Sequence, residues 1–367
     1  MSKHYIKNVP RYYEPYVCDC FHNAISAQLL YMGLNPKIVL ADYLCFMHDP
    51  QTGYIGINYL YKYNTTVEFT EEELNTSFEF AYFAPPKQFE VMGKSNQVTN
   101  DRIIVNMYLN NDSEKADKHL KTLIDNDIPT SVAVDLYYMR YHRAYQKDHG
   151  LHYVVITGYD EDTKCYELFD KYKLSSSDFD GVLPMQDILL ARESDNPQKN
   201  DLVGEYTRPL QNIWCEISSS PNFIISEEKV YGIIKESCTR MRGDKTVLGN
   251  KCGIDAIKML ISDIQTNNRE SMFKTYYNET FKTIARNRKR FKVFLEQFDT
   301  LAIPAVISIL EESAKSWDIC ANLALKFGLT KKPQVITDII SQLNNIIDKE
   351  TILVENLESV TGLMKVR

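Results

Sequence analysis

What most constrains this chain is a change of hydrophobic rhythm near Pro221. From Ser226 onward, apolar residues recur at helical spacing in five segments: 226–241, 252–266, 269–296, 301–327 and 334–360. Gly328 and Pro333 read as the break between the last two. Before Pro221 helix and strand signals are mixed. The expected fold class is therefore α+β, with one domain over 1–222 and an all-helical one over 223–367.

Within the first part, Cys20 to Met32 reads as a helix stopped by Gly33, and Pro36 to Met47 as a second, short one. Tyr54 to Phe69 is rich in Tyr, Ile, Thr and Val and reads as paired strands. Ser113 to Asp125 is helix-like and closes at Ile128-Pro129. Thr130 to Tyr138, His152 to Tyr159 and Cys165 to Asp170 are strand candidates. The polar turn Asp160-Glu161-Asp162-Thr163 makes the last two an antiparallel hairpin. Residues 193–202 read as a polar loop, and Leu210 to Ile217 as a further strand.

Charge and cysteine usage narrow the functional classes. The net charge is −7, divided as −11 over 1–225 and +4 over 226–367, so nucleic acid is not the expected partner. Apolar runs such as Leu301 to Leu310 fall short of the roughly 20 residues a spanning helix needs, so no membrane role is expected. The opening residues lack the apolar stretch of a secretory signal, and a cytoplasmic location is expected. The eight cysteines are scattered, without the spacing of a disulfide framework. All seven histidines lie within the first 152 residues, so imidazole chemistry belongs there.

Three residues carry the candidate chemistry. Cys20 opens an amphipathic helix that Asp19 can cap, and the helix dipole favours a thiolate there. His152 begins a strand whose hairpin partner ends at Asp170. A turn near 161–163 would set 152 and 170 directly opposite, close enough for the carboxylate to orient the ring. Packing the Cys20 helix across this sheet would complete a Cys20–His152–Asp170 set. Taken singly, each residue has a commoner role: a buried helix-start cysteine, a core histidine, a turn-forming aspartate.

Cys18 is the rival nucleophile, and the helix pattern favours Cys20. Cys18-x-Cys20-x-His22 with His149-x-x-His152 lacks the usual zinc spacing, so no metal is expected. His22 and His149 have ordinary packing or rim roles as their first reading. Asp135 has a structural hydrogen bond as its first reading and amine binding as its second. Tyr137, Tyr138, Tyr141 and Tyr145 can line an acyl channel or serve as ordinary aromatics. Lys282, Arg286, Arg288, Lys289, Arg290 and Lys292 form a cationic stretch. It reads first as a solvated helix face, and second as a dock for an acidic carrier protein.

The segment Cys20-Phe-His-Asn-Ala-Ile-Ser-Ala-Gln-Leu-Leu-Tyr-Met-Gly33 resembles the nucleophile helix of papain-like enzymes. Asp135-Leu-Tyr-Tyr-Met-Arg-Tyr-His142 and His149-Gly-Leu-His152-Tyr-Val-Val-Ile-Thr-Gly-Tyr-Asp160 resemble the butirosin-biosynthesis acyltransferase family. The stretches Arg286 to Phe294 and Ala314 to Trp317 are similar to that family's helical C-terminal domain. The resemblance implies a papain-like cysteine-peptidase fold turned to synthesis. It also implies an acyl or peptidyl chain carried on the phosphopantetheine of a carrier protein, with no bound cofactor. The chain would pass through an acyl-cysteine to a small amine such as a diamine or amino sugar. Amide formation in closthioamide assembly is one reaction of that kind. One departure stands out: Glu14 occupies the place where papain-like enzymes keep an oxyanion-binding Gln. The hole would then use the Cys20 N–H with a second donor, Asn23 or Gln28. Cysteine peptidase or amidase activity with the same three residues is the competing reading. A non-catalytic carrier-protein-binding module is the third. The sequence is compatible with a homo-oligomer.

Overall fold

A computed structural model describes residues 2–14, 16–41, 43–57, 87–88, 103–170, 178–200, 204–220, 223, 225–247, 250–267 and 269–363. The fold class is α+β. The chain divides into two units: 1–39 with 78–223, and 40–77 with 224–367.

The first unit is built on an eight-stranded sheet. Its strands are β1 (Lys3–Tyr5), β2 (Lys87–Gln88), β3 (Ile103–Leu109), β4 (Thr130–Asp135), β5 (Leu151–Asp160), β6 (Cys165–Asp170), β7 (Phe179–Pro184) and β8 (Trp214–Ser219). They run in the order β2-β3-β8-β4-β5-β6-β7, with β1 added alongside β5. Only the β2–β3 pair among these is parallel. Every residue of β4 is buried, as are Val154, Val155 and Ile156 of β5, so these strands lie in the core of the unit. Helices α1 (Cys20–Tyr31), α2 (Pro36–Val39), α3 (Ser113–Asp125) and α4 (Met185–Glu193) belong to this unit, and α1 packs on β5.

The hairpin of β5 and β6 forms where the sequence places it, in a shifted register. Val155 faces Phe169 and Ile156 faces Leu168, so Asp170 continues opposite Val154 and sits diagonally from His152. The turn closes on the pair Asp160–Cys165, which sets the shift, and a bulge between Ile156 and Gly158 takes back one position of it. Gly158 also faces Tyr5 of β1, and a Cβ there would come within 2.6 Å of the tyrosine ring. The polar stretch around residue 197 is more ordered than a loop: Pro197–Asn200 pairs with Gly204–Thr207. The strand expected from Leu210 starts only at Trp214, because Gln211 and Asn212 turn the chain with positive φ.

The second unit carries α5 (Glu227–Arg242), α6 (Gly253–Thr266), α7 (Asn278–Leu295), α8 (Pro304–Thr330) and α9 (Pro333–Leu363). A π-turn over Phe273–Tyr277 leads into α7. Gly328 does not stop a helix; α8 runs through it to Thr330. A Cβ at Gly328 would lie 2.5 Å from the Lys274 Cα, so this glycine serves close backbone approach.

The expected helix over Pro36 to Met47 ends at Val39. Side chains of the second unit take the following backbone groups: Ser237 accepts from Leu44 N, Asn287 donates to Tyr43 O, and Arg288 donates to Cys45 O. Met47–His48 then pairs with Ile55–Gly56. The remainder of the strand reading over Tyr54 to Phe69, from residue 58, lies outside the described residues.

The cationic stretch is divided between one buried pair and several partly exposed ones. Arg288 is fully buried against Glu350 at 2.9 Å, Lys289 pairs with Asp318, and Lys282 with Glu279. Lys292 reaches Glu296 and Glu311. The burial of Arg288 takes that cation out of any docking face.

Candidate active site

Cys20 is the first residue of α1, and the Asp19 side chain caps the helix by accepting from His22 N. At that position the Cys20 N–H has no intrahelical acceptor. Asp19 also holds the His22 ring, Oδ1 to Nδ1 at 2.8 Å, which fixes His22 on the helix rather than in the site. Cys18 is buried, whereas Cys20 is half-buried.

The sheet brings the other two residues to Cys20. His152 lies on β5, 7% exposed, with the Cys20 side chain among the groups that act on its ring. Its Nε2 meets Asp170 Oδ2 at 2.8 Å, which leaves Nδ1 as the ring nitrogen that can face the sulfur. Burial opposes charge on this ring. The Cys20 sulfur and the Asp170 carboxylate outweigh it and raise the His152 pKa well above its ordinary value. The diagonal register is no obstacle, because neighbours offset by two on one face stay within side-chain reach.

Tyr141, which the sequence offered as a channel wall or an ordinary aromatic, reaches the carboxylate of this set. Its hydroxyl donates to Asp170 Oδ2 at 2.7 Å, and its ring stacks on Phe179 at 4.4 Å. Burial, with Asp170 alongside, pushes its phenol well above the ordinary value, so it remains a donor. Tyr141→Phe is expected to slow turnover about tenfold by loosening the carboxylate. Cys20 alkylation and a His152 titration would both move with it. Unchanged turnover and titration would contradict the role.

The neighbouring loop is pinned by Asp135, which is fully buried. Its carboxylate accepts from Ser194 Oγ, Tyr137 N and Gly150 N and bonds His149 Nδ1 at 2.6 Å. These four bonds saturate it, which gives Asp135 the structural role and leaves nothing for an amine. His149 is an anchor stacked on Tyr137 at 4.3 Å. Tyr138 packs edge-on against Tyr137, and Tyr145 accepts from Gln146.

A crevice of about 10 Å³ adjoins the sulfur, lined by Cys20, Asn23, Ala24, Val154 and Asp170 among others. It admits about one water-sized atom. Asn23 Oδ1 accepts from Glu14 N, which leaves its Nδ2 donors beside the crevice. Gln28 is excluded as an oxyanion donor: its Nε2 donates to Pro129 O and its Oε1 accepts from Ser131 Oγ. Glu14 is tied back by the Tyr12 hydroxyl at 2.6 Å. Among the described residues, no group of three or more His, Cys, Asp and Glu could hold a metal ion.

A helix-start thiol beside an imidazole that a carboxylate orients is the arrangement that acyl chemistry on cysteine requires. Residues 54–171 match the family described as butirosin biosynthesis protein H, N-terminal, which bears out the resemblance read from Asp135 to Asp160. That match covers about a third of the chain. It includes His152 and Asp170, with Cys20 ahead of it. No curated protein matches the chain. Among the described residues, no helix is long and apolar enough to cross a membrane.

Proposed function

We propose that the protein is a cysteine-dependent N-acyltransferase that forms amides in natural-product biosynthesis. The observation that carries the reading is the chain of contacts from Cys20 through His152 to Asp170. The first unit, with its nucleophile helix packed on an antiparallel hairpin, is read as a papain-like domain.

The Cys20 thiolate attacks the thioester carbonyl of an acyl or peptidyl group borne on a carrier protein's phosphopantetheine. The carbonyl oxygen becomes an oxyanion beside the Cys20 N–H and the Asn23 amide. Collapse breaks the carbon–sulfur bond to pantetheine. The departing thiolate takes the proton of the His152 imidazolium, leaving acyl-Cys20. An amine then attacks the acyl carbon, neutral His152 accepts the amine proton, and Cys20 leaves as thiolate. Asp170 holds the ring in place through both halves. No cofactor is consumed.

Incubation with an acylated carrier protein is expected to add the acyl mass to the wild-type chain and not to Cys20→Ala. An adduct of equal yield in that variant would overturn the assignment. Adding a diamine or amino sugar is expected to discharge the adduct as an amide. Discharge only to the free acid would favour the hydrolase reading.

A further inference from the structure

His142 is half-buried beside the site, and no step above uses it. Its ring centroid lies 6.2 Å from that of His152, tilted by 34°. Its Nδ1 accepts the Ala144 backbone N–H at 3.1 Å. An amide N–H can only donate, so Nδ1 keeps its lone pair and the neutral ring carries its proton on Nε2. Burial lowers the His142 pKa, His152 and Arg143 lower it further, and Asp170 opposes them without prevailing. The ring is therefore an uncharged donor of fixed tautomer. Among the described residues, no acceptor takes the Nε2 proton.

Its position says which part of a substrate it would meet. The Cys20 N–H and Asn23 belong to α1, on the helix side of the sulfur. His142 lies on the imidazole side, where a leaving sulfur collects its proton. An ammonium group is disfavoured there, because His142 offers a cation no lone pair and both His152 and Arg143 are close by. A carbonyl oxygen fits. In a pantetheine arm the first amide carbonyl follows the sulfur after two methylenes and a nitrogen, about 5 Å away in extended form.

We propose that the His142 Nε2–H binds this amide carbonyl of a pantetheine-type thioester and so selects it over a plain alkyl thioester. The inference rests on Cys20 accepting acyl groups from thioesters, as proposed above.

The test compares two donors of one acyl group, an N-acetylcysteamine thioester and an ethanethiol thioester. Single-turnover acylation of Cys20 is followed by intact mass. Wild type is expected to prefer the amide-bearing donor about tenfold, the worth of one neutral hydrogen bond. His142→Phe is expected to bring the ratio close to one, and His142→Gln, which keeps an N–H donor, to restore most of it. Cys20 alkylation by iodoacetamide, measured in parallel, reports an intact Cys20–His152 pair in each variant. An unchanged ratio in His142→Phe with normal alkylation would overturn the inference, as would a ratio near one in His142→Gln. Failure of both thioesters to acylate wild-type Cys20 would instead overturn the parent reading, and this inference with it.

Discussion

His152→Ala is expected to lower kcat/KM for acyl transfer by about 10³- to 10⁴-fold. The ring has two jobs that no neighbour can take over. It supplies the proton for the departing pantetheine thiolate and accepts one from the incoming amine. Asp170 cannot substitute, because its Oδ2 already accepts from Tyr141 and meets His152 on the side away from the sulfur. His142 cannot, because Ala144 N–H occupies the lone pair it would need. Asp170→Asn should cost less, about 10- to 100-fold, the usual loss when a group that orients an imidazole is weakened. Steady-state rates with a fixed thioester and amine check both values. A loss below tenfold in His152→Ala would place the chemistry elsewhere.

Glu350→Ala is expected to destabilise the second unit by about 3–5 kcal/mol, the usual cost of stranding a buried charge. Arg288 and Glu350 are both fully buried. Oε1 of Glu350 takes the Arg288 guanidinium at 2.9 Å, the Ser313 hydroxyl at 2.7 Å and the Trp317 indole N–H at 3.1 Å. Removing the carboxylate leaves all three donors and a cation without that partner. Arg288 would retain only neutral acceptors such as Cys45 O and Asn287 Oδ1. The double variant Arg288→Met with Glu350→Leu should recover much of the loss, because apolar replacements leave no stranded charge. The chain has two tryptophans, so Trp317 fluorescence in a Trp214→Phe background follows urea unfolding of this unit. A shift of less than 1 kcal/mol (an order-of-magnitude threshold) in Glu350→Ala would contradict the account.

This ion pair also marks a limit of reading sequence. The cations from Lys282 to Lys292 are visible in a row, but Arg288's partner stands 62 residues away on another helix. Local charge density therefore suggested a solvated or docking face and gave no sign that Arg288 is buried. The same holds for 40–57, whose backbone groups are claimed by side chains from residue 237 onward. Elements set by local rules were legible. Asp19 caps the Cys20 helix, Ser113–Asp125 forms as expected, and Cys165–Asp170 is a strand. The hairpin register was not: it is set by the closing pair Asp160–Cys165 and then eased by a bulge at Ile156/Gly158, where distant β1 pairs with Gly158. Tyr141 was one tyrosine among several, and only the stacking of Phe179 and the reach to Asp170 distinguish it. Gln28 shows the converse: a polar residue on the nucleophile helix looked available, yet it is spent joining α1 to β4 and the residue before it.

The central claim is that Cys20 and His152 act on one another as a pair, and the titration of His152 tests it most directly. With its pKa raised in the fold, the imidazolium adds stability that is complete below the unfolded value of about 6.5 and is lost as pH rises through the folded value. Proton-detected NMR, with the signal assigned by its loss in His152→Asn, is expected to show the ring protonated well above pH 6.5 in wild type. In Cys20→Ala the same signal is expected to titrate at lower pH, because burial remains while the contribution of Cys20 is gone. A His152 that titrates near its ordinary value, and does so identically with and without the thiol, would contradict the pair.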